Sequence, residues 1–350
     1  MNNFGQRLLS ARKMSGLSLQ MLAGRMSIPI TKQALSQYEK GQTTPSSKVI
    51  IAISNALNLP VDYFFKKSDV NLEHLEFRKR SSLPKKEIEA VRFKTIDYLE
   101  KYLEIEELLN VDSVFSNPLK KNRVSNVQDI DKCAKELRDK WSLGLDPLPE
   151  VIALLEENKV KIFGINAPEE FSGLASITDG VAVIVVNVNE KVNTVRKRLT
   201  ALHELAHLIL TFSNDVSDKE KEHLCYSFAS AVLFPEEVFK EKLGKKRSSI
   251  LLNELILFEN YYGISVQAIM WRAHDLGLIS DSKFKEYHIW LSRSKLKTKE
   301  FGKYCGCEAP MRFQRLVYQA LSEDIISTSK AAALLNKPLS DLKDELTRVI

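Results

Sequence analysis

Apolar positions over the first 66 residues recur at helical spacing, in short runs separated by turn residues. Phe4, Leu8 and Leu9 share one face of a run from Phe4 to Lys13. Ser18 stands where a cap belongs for a second run, LQMLAGRM, and Thr31 for a third, KQALSQYEKG, which Gly41 ends. Pro45 and Ser46 open SKVIIAISNAL, and Pro60 opens VDYFF, so five short helices are predicted. The pattern then lengthens. Between Pro84 and Asn117-Pro118, Ile88, Val91, Ile96, Leu99, Leu103 and Leu108 form a helical stripe among charges, read as core or a dimer seam. A capped helix, VQDIDKCAKELRDKWSL, and the run PLPEVIALLEEN follow. KVKIFGI and GVAVIVVNVN break the rhythm: they are β-branched runs bounded by Gly and Asn, predicted as strands of a small sheet. Residues 300–350 return to helical spacing, with Ser327 or Thr328 capping SKAAALL and Pro338 opening the last helix. The predicted fold class is mainly α with a small β-sheet (α+β).

Composition adds limits. A chain of 350 residues with 44% hydrophobic positions has room for two or three domains with real cores. No window approaches the roughly 18 apolar residues of a membrane span, and MNNFGQRLLSARKMSGLSL lacks a signal-peptide run. A cytoplasmic protein without a membrane partner is expected. Cys133, Cys225, Cys305 and Cys307 make no disulfide framework, and Cys305-Gly306-Cys307 is too tight for the usual zinc-knuckle spacing. Reduced thiols are the expectation. The charge is uneven: residues 1–80 hold twelve Lys and Arg against five Asp and Glu, while the whole chain carries +6. The basic excess therefore sits at the amino end, as in a module that binds a polyanion.

In that basic segment the residues Leu22-Ala23 and Ser36 to Pro45, reading LA and SQYEKGQTTP, resemble the Xre-like helix-turn-helix family. The resemblance covers about residues 4–66, and the turn Ser27–Thr31 looks about two residues longer than is usual there. It implies that the third helix enters the major groove of double-stranded DNA. Lys32, Gln33 and Gln37 are the residues expected at base edges, since Gln pairs with adenine and Lys donates to guanine. Thr43 and Thr44 suit phosphate oxygens, and Lys40 adds sequence-independent attraction.

The stretch TVRKRLTALHELAHLIL, Thr194 to Leu210, carries the second set of chemistry. His203 and His207 stand four residues apart, so a helix presents both imidazoles to one ion. Glu204 lies beside them, where a carboxylate serves as general base for peptide hydrolysis. A metzincin continuation would need Gly at 210 and His at 213, but Leu210 and Ser213 stand there. The third ligand must then be an acid on the following helix, SDKEKEHLCYSFASAVLFP, where Glu220 and Glu222 compete. His223 is read as a surface or supporting residue. Tyr226 is read as a packed tyrosine, with donation to an oxyanion as the alternative.

That helix resembles the ImmA/IrrE family of zinc metallopeptidases, with Glu222, Cys225, Phe228, Ala229, Val232 and Pro235 in the family's order and Cys225 where alanine is usual. The resemblance extends weakly over residues 127–290. It implies a zincin-like domain, Zn2+ as cofactor, Glu222 as third ligand beside His203 and His207, and Glu204 as base. The expected organisation is a five-helix DNA-binding domain at 1–67, a helical connector at 68–125, a metallopeptidase domain at 126–295 and a helical region at 296–350. The expected function is a transcriptional regulator whose peptidase cleaves a repressor-like protein or a toxin, with a homodimer among its states. The competing reading is a regulator or antitoxin whose peptidase-like domain senses or binds without cutting. The polar connector near Lys66 to Lys85 is also a candidate self-cleavage site.

Overall fold

A computed structural model describes residues 3–66, 84–120, 122–294 and 301–346 of the chain. His74 and most of the candidate self-cleavage stretch lie outside the described residues. The chain divides into two compact units, one of Met1–Asp112 with Leu316–Ile350 and one of Ser113–Arg315.

The first unit opens with helices α1 (Asn3–Met14), α2 (Leu19–Arg25), α3 (Lys32–Glu39) and α4 (Ser47–Leu57). Ser18 and Thr31 cap α2 and α3 by accepting from the Met21 and Ala34 amides, as their positions predict. Phe4, Leu8, Leu22, Leu35, Ile53 and Phe64 form the common core. Two contacts fix α1 against α3. A Cβ on Gly5 would stand 2.5 Å from the Glu39 carbonyl oxygen, so only glycine permits this approach. The Arg12 guanidinium grips Glu39 with two hydrogen bonds of 2.6 and 2.8 Å, both side chains nearly buried. The fifth predicted helix is instead a 3-10 stretch, Val61–Phe65, because five residues after a proline are too few to propagate an α-helix.

Helix α5 (Lys85–Leu108) belongs to the same unit. Arg7 of α1 pairs with its Glu100 at 2.5 Å, and Lys13 with its Glu89 at 2.6 Å. The stripe it buries is Val91, Thr95, Leu99, Tyr102, Ile105 and Glu106. This corrects the sequence reading at one end: Leu108 is exposed, and Ile88, Ile96 and Leu103 only flank the stripe. Val91 and Leu99 lie on the buried line, Ile96 and Leu103 lie to one side of it, and Thr95 completes it by hydrogen-bonding the Val91 carbonyl. The helices Thr328–Leu335 and Leu339–Glu345 join this unit, where Lys101 of α5 donates to the Asn336 side chain.

The second unit surrounds a three-stranded sheet in the order β2-β4-β3, with β2 (Val160–Ile165) parallel and β3 (Gly173–Thr178) antiparallel to β4 (Val181–Asn187). A short parallel pair, β1 (Arg123–Val124) with β5 (Thr211–Phe212), lies apart from it. Strands β2 and β4 are the two predicted from β-branched runs. The sequence reading missed β3. Asp179 and Gly180, both with positive φ, close β3 onto β4 as a two-residue hairpin, and this Asp-Gly pair was the available signal. Helices α6 (Val127–Lys140) and α7 (Val151–Glu157) precede the sheet; α8 (Thr194–Ile209) crosses β3 and β4. Helix α9 (Asp218–Leu233) packs on α8 and α6, and α10 (Glu236–Leu243), α11 (Leu252–Tyr262), α12 (Val266–Asp275) and α13 (Asp281–Arg293) complete the unit.

Candidate metal centre and DNA-facing helix

Helix α8 begins at Asn193, whose side chain accepts from the Arg196 amide, and runs past both histidines before Leu210 turns extended. One turn separates His203 from His207, and their Nε2 atoms stand 3.1 Å apart with the rings perpendicular. Glu222 reaches the same point from the first turns of α9, with carboxylate oxygens 3.4 Å from His203 Nε2 and 3.3 Å from His207 Nε2. Among the described residues this trio is the group of ligand atoms close enough to share an ion, all lying within 4.8 Å of one another. The spacings suit zinc. With zinc–ligand distances near 2.05 Å, a tetrahedron has edges of roughly 3.3 Å, close to the separation of the two Nε2 atoms and to the distance from each of them to its nearer Glu222 oxygen. Two imidazoles and a carboxylate also form the mixed nitrogen and oxygen donor set of catalytic zinc sites.

Glu220, the competing acid, is occupied elsewhere. Its carboxylate accepts from the Ser217 amide and hydroxyl while Ser217 accepts from the Glu220 amide, a reciprocal cap on α9. These hydrogen bonds also hold its carboxyl below the usual range.

The surroundings orient the three side chains. His207 Nδ1 lies 3.4 Å from the buried Cys225 thiol, leaving Nε2 turned to Glu222. His203 is 5% exposed and Glu204 is 8% exposed, so both lie at the base of the site. A Cβ on Gly173 would meet Glu204 Cγ at 2.9 Å and Oε1 at 3.1 Å. The start of β3 therefore presses directly on the expected base, a contact that the sequence reading did not identify.

Two further residues need correction or placement. Tyr226 is 46% exposed and is not a packed core tyrosine. It shares the Glu222 face of α9, which turns to the histidines, and its ring lies on His203 at 3.9 Å. Partial burial, helped by the charges of Glu222 and Glu204, pushes its pKa up. His223 points away from the trio and pairs with Asp275 at 3.2 Å, as expected of a supporting residue.

The helix that carries the histidines is anchored by a residue whose role the sequence did not reveal. Arg198 is fully buried and donates to the Leu148, Pro149 and Gly263 carbonyls. It also pairs with Glu308 at 2.6 Å and lies over the Tyr304 ring. Glu308 in turn accepts from the Val151 and Ile152 amides and so caps α7. No local signal links positions 198 and 308.

In the first unit, Lys32, Gln33, Gln37 and Lys40 are all exposed, as are Thr43 and Thr44 beyond the helix. Gln33, Gln37 and Lys40 follow helical spacing along one face of α3, opposite Leu35 in the core and Glu39 held by Arg12. Segment Met26–Thr31 joins α2 to α3.

Among the described residues no helix is long and apolar enough to cross a membrane. No curated protein matches the chain. Residues 8–64 match the family model for the helix-turn-helix, and residues 156–274 match that for the IrrE N-terminal-like domain. The chain is therefore a fusion of a helix-turn-helix domain with an IrrE N-terminal-like domain.

Proposed function

We propose that the chain is a DNA-binding transcriptional regulator whose second unit is a zinc-dependent endopeptidase acting on a repressor-like protein or a toxin. The observation that carries this reading is the convergence of His203, His207 and Glu222 with Glu204 alongside. Zinc held by that trio would supply Lewis acidity and a water whose pKa falls to about 7. Glu204 is the group to take a proton from the attacking water and return it to the leaving amine. Cys225 keeps His207 in the orientation that frees Nε2. The Tyr226 ring lies on His203, which makes its hydroxyl the candidate donor to a developing oxyanion. An extended polypeptide substrate fits the sheet: among the described strands β3 pairs only with β4, and it begins at Gly173 against Glu204. The exposed face of α3 supports the DNA half of the reading, with Lys32, Gln33 and Gln37 at base edges and Lys40, Thr43 and Thr44 at phosphates.

The test separates binding from chemistry. Purified protein is expected to hold about one zinc per chain, as three protein ligands plus water complete a tetrahedral site. His207→Ala is expected to lose the ion. Glu204→Gln is expected to retain zinc and DNA binding yet cleave no member of a pooled peptide library. Full regulation of the target promoter by Glu204→Gln would replace this reading with a sensing or partner-binding role.

A further inference from the structure

Beside the candidate metal centre the second unit holds a cavity of about 350 Å3 between α9 and α12, which the proposed hydrolysis does not itself use. We propose that this cavity receives a bulky apolar side chain of the polypeptide substrate, from the residue adjoining the bond to be cut. The inference rests on the endopeptidase reading and names the substrate chemistry it selects.

Tyr226 connects the two features. Its ring lies tilted against His203, with centroids 3.9 Å apart, and also lines the cavity, so a chain whose carbonyl lies at the trio has its neighbouring side chain within reach of the opening. A cavity of this size admits any natural side chain. Its lining makes the choice. Leu199, Ala268 and the Tyr226 and Trp271 rings give it an apolar wall beside three serines and Gln267, and Trp271 keeps 41% of its surface exposed. Covering such aromatic surface with an apolar group removes both from water.

The charges at the base already have partners. Asp275 accepts from Ser227 Oγ at 2.7 Å and pairs with His223 at 3.2 Å. Arg272 donates to the Phe234 carbonyl and pairs with Asp131, each at 2.7 Å. An acidic side chain would therefore meet the Asp275 carboxylate, and the cationic groups of the lining, Arg272 and His223, are already paired. A basic one would have to displace His223 from Asp275. An apolar side chain disturbs neither pair, which is the basis of the selection.

The probe is the fluorine signal of full-length protein labelled with 5-fluorotryptophan, whose three tryptophans are Trp141, Trp271 and Trp290. N-acetyl amides of leucine, phenylalanine and aspartate are titrated into metal-free and zinc-loaded protein. The leucine and phenylalanine probes are expected to shift the Trp271 signal saturably, at concentrations at least ten-fold lower than the aspartate probe. Gln267→Phe, which fills the cavity from its lining, is expected to abolish the shift while the Trp141 and Trp290 signals report an intact fold. In the second arm, cleavage of a pooled peptide library by zinc-loaded protein is expected to favour large apolar residues beside the cut bond, a preference lost in Gln267→Phe. No Trp271 shift, or equal shifts from all three probes, overturns the apolar selectivity whatever the library shows. A library left uncut while Trp271 shifts overturns the endopeptidase reading and the substrate assignment with it. Cleavage whose preference Gln267→Phe does not alter overturns the cavity's role alone.

Discussion

Gly173 and Glu204 lie so close that a single methyl group on the glycine would stand 2.9 Å from Glu204 Cγ. Strand β3 thereby limits where the carboxylate of α8 can go. Gly173→Ala must move the strand or the Glu204 and Thr200 side chains, which supply the three atoms nearest the added methyl, rather than His203, His207 or Glu222. The expected outcome is normal zinc content with peptide cleavage reduced at least ten-fold, and a stability loss of about 1–3 kcal/mol from overpacking. Metal analysis beside a cleavage assay checks it; unchanged cleavage would separate the base from the strand.

The Arg198–Glu308 pair ties α8 to the start of α7 with both side chains at zero exposure. Arg198→Met leaves the Glu308 carboxylate buried without its cation and strands the Leu148, Pro149 and Gly263 carbonyls. Removing one partner of such a pair is expected to destabilise the second unit by about 3–5 kcal/mol. Glu308→Gln keeps an acceptor for the α7 amides and is expected to be milder. Thermal unfolding followed by circular dichroism ranks the two, and the reverse order would show that the charge on Glu308 matters more than the reach of Arg198.

On the DNA side, Gln33→Ala and Gln37→Ala are each expected to reduce discrimination between operator and random duplex by about 1–3 kcal/mol. Lys40→Ala is expected to weaken binding to both duplexes and to reduce the salt slope by about one unit. Fluorescence anisotropy across a salt series distinguishes the classes. Equal losses on all DNA from the glutamine variants would remove α3 from sequence readout.

Glu156 supplies the pH dependence. Burial pushes its carboxyl up to about 7, outweighing the Arg312 and Met311 amides that donate to Oε2. Because the folded pKa lies above the ordinary value of 4.5, the neutral form favours the folded state. That contribution is complete below pH 4.5, falls as the pH rises toward 7 and is absent above it. The change is on the order of 1–3 kcal/mol. Glu156→Gln is expected to flatten this part of the stability profile, measured by urea unfolding at successive pH values. A variant with the same slope as wild type would assign the dependence to other groups.

Local pattern alone determined several of these features. The four-residue spacing of His203 and His207 needs only one turn of helix, and Ser18, Thr31 and Ser217 cap the helices that follow them because capping acts within three residues. The strands β2 and β4 announced themselves by β-branched runs. Tertiary packing decided the rest. Glu220 is drawn to its own helix cap by Ser217, three residues before it, but only the docking of α9 on α8 brings Glu222 to the histidines. Likewise α5, read as a connector, lies beside α1 through Arg7–Glu100, and Arg198 finds Glu308 across the fold. Hydrophobic period and caps depend on neighbours within a turn or two; ion pairs, close glycine contacts and the exposed face of Tyr226 depend on which distant element arrives opposite them, and one sequence pattern is compatible with many such arrivals.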